Sequence, residues 1–245
     1  MSTWLFDLGN TRLKCAPLEE GRVGAAVRVA HDGQALPSDW MDALPPRFDD
    51  AIVASVAPAL TASLLDALTA RCGRIAVART VARLGDVRIA YAEPRRLGVD
   101  RFLALLAAHA RGAQPWLVVG VGTALTIDLL DADGLHHGGR IAPSPTLMRE
   151  ALHARAAQLP GEGGTFVEFA DDTLDALASG CDGAALALVE RSLKKASMRT
   201  TATPTLLLHG GGADALRPHL GSSVSVPDLV LEGLACWARL GEHAA

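Results

Sequence analysis

The chain has little of what several classes of protein require. Aromatic residues make up only 4% of its 245 residues and its formal net charge is -4. It therefore lacks the stacking platforms and the basic surface that nucleic-acid binding needs, and we expect no nucleic-acid partner. Its four cysteines are widely scattered, without the Cys-x-x-Cys spacing of a zinc site or a redox motif, so we interpret them as reduced thiols.

Long hydrophobic runs are missing too. No apolar stretch approaches the length of a bilayer span, and the first residues lack the basic region, apolar segment and cleavage site of a signal peptide. We predict a cytoplasmic protein that does not contact membranes. Because 49% of the residues are hydrophobic, the chain has ample material for the core of one domain or of two small ones.

The most informative segment that is present is residues 7–14, which follow a short apolar strand. Gly9 suits a tight reversal, and the amide and hydroxyl of the next two residues can bind an anion. Lys14 adds a positive charge, and Asp7 supplies the hard oxygen that Mg²⁺ or its water shell prefers. These features predict a phosphate-binding hairpin, although the same composition is also ordinary for a hairpin turn.

The same pattern returns more than a hundred residues later. Residues 116–119 predict a buried strand, Gly122 and Thr123 a tight turn, and residues 125–130 the returning strand. Two phosphate-facing hairpins in one chain predict a nucleotide clamped between two halves.

The remaining pattern predicts an α/β plan in two domains, residues 1–113 and 114–245. The predicted strands are 4–7, 13–18, 23–30, 51–56, 75–77, 116–119, 125–130, a third meander strand ending near 141, and 205–209. The predicted helices are 39–44, 59–71, 102–110, 145–158, 173–196 and 229–240.

Taken together, the motifs resemble those of the type III pantothenate kinases, within the superfamily of actin, sugar kinases and 70-kilodalton heat-shock proteins. The resemblance spans almost the whole chain and depends on the order and spacing of short segments. These segments are 7–14, 54–58, 91–94, 98–101, 122–124, 138–139, 173–180 and 227–233. The resemblance implies two ribonuclease H-like domains of actin-like ATPase type, with an ATP cleft between them.

The resemblance also implies a reaction: Mg²⁺-supported, ATP-dependent phosphorylation of pantothenate to 4'-phosphopantothenate, the first step of coenzyme A biosynthesis. It implies a homodimer with the substrate site near the interface, Asp100 as catalytic base, and Arg101 as the ligand of the pantothenate carboxylate. The implied ATP and phosphate residues are Asp7, Leu8, Gly9, Asn10, Thr11, Arg12, Leu13, Lys14, Gly122 and Thr123. The implied substrate residues are Tyr91, Gly98, Val99, Asp100, Arg101 and Thr173, and Gly138-Gly139 resembles the adenosine-side turn.

Two departures from the family pattern stand out. The second phosphate motif of the family reads Asp-x-Gly-Thr, and its Asp binds an activating K⁺ or NH₄⁺; here that position is Gly120, so the cation site cannot be carried over. Asp128 is a substitute if it faces the cleft. The family's Pro-Gly after the adenosine-side turn is replaced by Pro143-Ser144-Pro145, which we expect to stiffen that loop.

Several alternatives stay open at this point. Asp100 is also what the first turn of any helix favours, with Arg101 as a surface ion-pair partner and Thr173 as part of a helix cap. In function, the alternatives are a catalytically weakened regulatory or binding protein of the same fold, similar to the Bvg accessory factors, or another small-molecule kinase of the superfamily.

Overall fold

The computed structural model describes residues 2–242, and contacts within it divide the chain into two compact units. The first unit contains the chain up to Ala113, Asp133–His136 and the segment from Asp228 onward; the second contains Gln114–Ala132 and His137–Pro227. The predicted domains were consecutive, 1–113 and 114–245, whereas the contacts place the C-terminal helix with the first unit. Among the described residues, no helix has the length and apolarity to cross a bilayer.

The first unit contains a mixed sheet and a small separate hairpin. The sheet strands are β1 (Thr3–Leu8), β2 (Arg12–Glu19), β3 (Arg22–Val23), β4 (Val27–Ala30), β5 (Phe48–Ser55) and β6 (Cys72–Val77), and the hairpin is β7 (Arg83–Leu84) with β8 (Val87–Arg88). The sheet order is β3-β2-β1-β5-β6, and β4 also pairs with β2. The predicted meander is confirmed, except that its third strand is split at residues 24–26.

The second unit repeats this arrangement. Its strands are β9 (Trp116–Val121), β10 (Ala124–Leu130), β11 (His136–Pro143), β12 (Thr205–His209) and β13 (Ser223–Ser225), in the order β11-β10-β9-β12-β13. In both sheets an antiparallel hairpin is followed by two strands parallel to its first strand. The structure is therefore the predicted α/β plan, built twice.

In the described part of the chain, six α-helices complete the two units: α1 (Pro58–Thr69), α2 (Val99–Ala110), α3 (Pro145–Arg155), α4 (Thr173–Ala196), α5 (Ala213–Leu216) and α6 (Leu229–Glu242). The predicted helix at 39–44 is wrong. There the backbone forms only single turns closed by hydrogen bonds between residues three apart, with Trp40 N donating to the carbonyl of Pro37 and Leu44 N to that of Met41.

The unusual Pro143-Ser144-Pro145 segment has a local role that the sequence reasoning missed. The Ser144 hydroxyl accepts a hydrogen bond from Leu147 N at 3.2 Å and caps α3. Pro145 stands in the first turn of α3, where a backbone N–H is not needed. Ser144 and Pro145 thus begin a helix directly after Pro143 ends β11.

Helices α2 and α6 pack directly against each other in the first unit. A Cβ on Gly233 of α6 would collide with the backbone of Leu103 in α2, so only glycine allows this approach. Near one end of the contact, Arg111 and Glu232 form an ion pair. Burial is complete on the α2 side, where Phe102, Leu103 and Leu105 have no exposed surface.

We expect Gly233→Ala to lower the free energy of unfolding by about 1–3 kcal/mol or more, because the added methyl group forces the two helices apart. Gly241→Ala is the matched control on the same helix, since no atom lies within 4 Å of a Cβ there. Urea unfolding of both variants measures the difference. Equal stability of the two variants would contradict the close-contact interpretation.

Candidate functional site

The predicted phosphate-binding residues 7–14 lie on the β1–β2 hairpin. Gly9 N donates to the carbonyl of Arg12 at 3.0 Å, and a Cβ on Gly9 would lie 3.3 Å from that oxygen. Gly9 does not have a positive φ, so the reversal requires space at Gly9 rather than left-handed backbone. The side chains of Asn10 and Thr11 at the tip are exposed.

His31, the residue after β4, is hydrogen-bonded to this turn. Its Nδ1 accepts a hydrogen bond from Gly33 N at 3.1 Å. Its Nε2 therefore carries the proton and donates to the carbonyl of Gly9 at 3.0 Å. Leu8 and Leu13 are fully buried, which leaves only their backbone groups available to a ligand.

A cluster of charges lies beside the hairpin. Asp7 and Lys14 are direct cross-strand neighbours. Lys14 Nζ lies 3.5 Å from Asp228 Oδ1, and Arg28 donates to both carboxylate oxygens of Asp228 at 2.7 and 2.6 Å. Asp228 immediately precedes α6 and was not predicted as a site residue, although it falls within one of the family-like segments.

Asp7 is electrostatically the most perturbed acid of this cluster. Burial is the main cause that raises its pKa, from 3.8 to about 7; Lys14 acts in the opposite direction, while Asp100 and Asp228 raise the pKa further. A cation close to Asp7 would favour its ionised form. Since no group of three or more His, Cys, Asp or Glu residues within 2–242 could hold a metal ion, Mg²⁺ would need phosphate and water ligands besides Asp7.

The raised pKa of Asp7 predicts a pH dependence of stability. Between about pH 4 and 7 the folded state binds a proton at Asp7 that the unfolded state has lost, so stability falls as pH rises through this window. In Asp7→Asn this contribution disappears. We expect the unfolding free energies of wild type and variant to diverge with pH by at most about 4 kcal/mol.

Urea unfolding at several pH values measures this difference. Asp66→Asn, at an exposed position on α1, is the control and should follow the wild-type profile. Parallel profiles for wild type and Asp7→Asn would show that Asp7 titrates normally.

The predicted base and substrate residues lie around the start of α2. The Asp100 side chain is partly buried, and its Oδ1 accepts a hydrogen bond from Arg101 N at 2.8 Å. A Cβ on Gly98 would lie 2.5 Å from the same oxygen, so glycine leaves room for this carboxylate. Gly98 stands at the N-cap of α2 and Val99 begins the helix.

Arg101 is only 6% exposed, so the alternative of a surface ion-pair partner is wrong. Its Nη1 lies 3.3 Å from the hydroxyl oxygen of Tyr91, and its guanidinium carbon lies 6.0 Å from the centre of the Tyr91 ring. The ring of the fully buried His136 stacks on the ring of Tyr91, with centroids 5.9 Å apart. Tyr91, the only tyrosine of the chain, thus connects Arg101 with His136, a residue that the sequence reasoning did not single out.

The other predicted residues belong to the second unit. Gly122 and Thr123 are exposed at the β9–β10 turn, where Gly122 N donates to the carbonyl of Ala124 at 3.0 Å. Thr173 is exposed in the first turn of α4, directly after Asp172, whose carboxylate caps the helix by accepting from Leu174 N and Asp175 N. The predicted helix-cap reading of this segment is confirmed.

A cavity of about 400 Å³ opens beside the predicted adenosine-side turn of this unit. Gly138 has a φ of 94°, which favours glycine, and nothing lies within 4 Å of a Cβ at that position. Cationic side chains on β11, on α4 and just after α4 line the cavity. They are Arg140, Arg191, Lys195 and Arg199. The cavity suits an anionic ligand.

The residues present do not fit the cation site implied by the family pattern. Gly120 has no side-chain oxygen, and a Cβ there would lie 2.7 Å from Thr126 Oγ1 and 2.8 Å from His209 Nε2. Asp128 lies on the same strand as Thr126, two residues farther from the turn, and is 3% exposed. Asp128 pairs with Val118 of β9, which is two residues from Gly120 along that strand.

Two sheets with the same order of corresponding strands, each beginning with an antiparallel hairpin, define the actin and sugar-kinase fold. A solved structure from Campylobacter jejuni, assigned to the Baf family of transcriptional activators, superposes with a TM-score of 0.65 at 17% identity, covering 98% of both chains. A Sinorhizobium meliloti protein assigned as a 2-dehydro-3-deoxygalactonokinase gives a TM-score of 0.59 at 17% identity, covering 97% of this chain and 98% of the other. At such identities the likeness shows the fold alone.

Sequence comparison is more specific. The family model of type III pantothenate kinases matches residues 4–195. The type III pantothenate kinase of Stenotrophomonas maltophilia (strain K279a) is 57% identical over 238 residues, covering 97% of this chain and 98% of the relative. The chain belongs to the type III pantothenate kinase family. The resemblance inferred from the motifs is confirmed.

Proposed function

We propose that this protein transfers the γ-phosphoryl group of ATP to the primary alcohol of pantothenate, giving 4'-phosphopantothenate and ADP. Membership of the family supports the substrate pair. The observation that carries the proposal is the buried Arg101 beside Tyr91, in the same helical turn as Asp100. This arrangement suits a small substrate that has a carboxylate at one end and a hydroxyl group within reach of a base.

Arg101 is proposed to bind the substrate carboxylate. The planar fork of a guanidinium group matches a carboxylate in two parallel hydrogen bonds. The ring of Tyr91 fixes one side of the guanidinium group, and His136 supports that ring. The substrate is thereby held at one end, which reduces the entropy cost of aligning its alcohol.

Asp100 is proposed to act as the catalytic base. The alcohol oxygen forms a bond to the γ-phosphorus while the bond from that phosphorus to the bridging oxygen breaks, and ADP keeps the electron pair. The alcohol proton passes to Asp100. The hydrogen bond from Arg101 N holds one carboxylate oxygen in place, and the positive end of α2 favours the ionised form that accepts the proton.

The β1–β2 hairpin is proposed to bind nucleotide phosphate in the first unit. Lys14 supplies a positive charge, and the exposed tip residues supply hydrogen-bond donors. Asp7 is the proposed contact for Mg²⁺ or its bound water, and the metal would supply neutralisation of phosphate charge. In the second unit the corresponding contacts are Gly122 and Thr123.

A homodimer is the proposed working unit. Beside Thr173 the chain presents apolar side chains to solvent, with Phe169 99% exposed and Leu174 41% exposed. Exposed apolar groups of this size mark interaction surfaces when they cluster. We propose that segment 167–174 contacts a second copy of the chain and that Thr173 reaches substrate from there.

For the reaction itself, we expect purified protein with MgATP to consume pantothenate and ATP in equal amounts. Asp100→Asn should lower kcat by about 10²- to 10⁴-fold, because an amide cannot accept the proton. Pantothenate affinity, measured by calorimetry, should change little. The readout is formation of ADP and phosphopantothenate.

Asp66→Asn is again the matched control and should retain full activity. Absence of turnover in the wild type under all ionic conditions would contradict the proposed function. An Asp100→Asn variant as fast as wild type would instead refute only the assignment of the base.

For the dimer, we expect Phe169→Asp to shift the protein toward monomer in sedimentation velocity experiments, because a charge replaces the largest apolar contact of the segment. Met198→Asp, at a position 72% exposed in the same unit, is the control and should sediment as wild type. If Phe169→Asp remains as dimeric as Met198→Asp, segment 167–174 is not the interface.

A further inference from the structure

Three residues form a row across the second sheet at the end of β9. Gly120 has Thr126 of β10 and His209 of β12 as its direct cross-strand partners. Side chains in such a row point to the same face of a sheet. Since a Cβ on Gly120 would lie 2.8 Å from His209 Nε2, the imidazole occupies the place where a side chain at position 120 would begin.

The loop after β12 holds His209 against the β9–β10 turn. Gly210 has a φ of 92°, and a Cβ there would collide with the carbonyl of Val121. Gly212 N donates to the same carbonyl at 3.0 Å. Both glycines therefore allow this loop to pack directly on the residue that precedes Gly122. His209 is partly exposed.

The chemistry of this row differs from that of a carboxylate with a bound monovalent cation. Such a pair presents a positive charge to phosphate. Here the carboxylate is absent and its place is filled, while an imidazole can offer an N–H donor and, when protonated, a positive charge. The imidazole can thus offer phosphate a hydrogen-bond donor or a positive charge, in place of the cation held by a carboxylate.

We propose that His209 contacts the nucleotide phosphate at the Gly122–Thr123 turn in place of a monovalent cation, and that the enzyme consequently needs neither K⁺ nor NH₄⁺. This inference rests on the proposed function, because it assigns a phosphate ligand to the same reaction. No sequence motif indicated His209.

The test compares turnover in sodium, potassium and ammonium buffers. We expect wild-type rates within about twofold of one another, and a loss of at least about tenfold for His209→Gly in all three, as for removal of a transition-state donor. Free imidazole should restore part of this loss by entering the space that the variant leaves. His219→Gly is the control, since His219 is exposed and its ring packs tilted against Phe166, with centroids 4.6 Å apart.

A wild-type rate more than about tenfold higher in potassium than in sodium would overturn the proposal, as would a His209→Gly variant with wild-type turnover. MgATP affinity, measured by calorimetry, separates this inference from the proposed function. If wild type phosphorylates nothing in any buffer, the proposed function fails. Weaker MgATP binding by His209→Gly would still support the phosphate contact, whereas equal binding would overturn it.

Discussion

The close approach of α2 and α6 at Gly233 is the packing constraint on which the first unit's site depends. Asp100 and Arg101 stand in the first turn of α2, and α6 begins directly after Asp228, whose carboxylate accepts from Arg28 and contacts Lys14. Because the helix backbones touch, neither helix start can shift without the other. The contact at Gly233 thus positions Asp100 and Arg101 relative to Lys14.

The ionised form of Asp7 is disfavoured in this arrangement. Burial and two neighbouring carboxylates raise the pKa of Asp7 to about 7, even though Lys14 lies opposite it. Buried charges of this kind cost stability. The phosphate and cation proposed to bind at the hairpin would supply both signs of charge and relieve this cost. On that proposal, the site exchanges stability of the ligand-free protein for affinity, as functional sites commonly do.

Features that depend on residues close together in the chain could be predicted from the sequence, whereas features that depend on distant residues could not. The bounds of α4 and β12 were predicted correctly, because a capping aspartate and a compact apolar run are local signals. The family motifs pointed to Asp100 and Arg101, whose roles remain predictions. Asp228, His136 and His209 were missed as site residues because their partners lie far away in the chain, as the 214-residue separation of Lys14 and Asp228 illustrates. No local pattern encodes such contacts, and only folding brings them together.

The two sheets show how one strand plan can carry two kinds of chemistry. In the first sheet the row at the end of β1 is Lys14, Asp7 and Ala54; in the second, the corresponding row at the end of β9 is Thr126, Gly120 and His209. The central residue is an acid in one row and glycine in the other. The residue contributed by the parallel strand also differs: it is Ala54 beside Asp7 and His209 beside Gly120. A Cβ at position 120 would lie 2.8 Å from His209 Nε2, so the glycine at the centre of the second row leaves room for the large imidazole beside it.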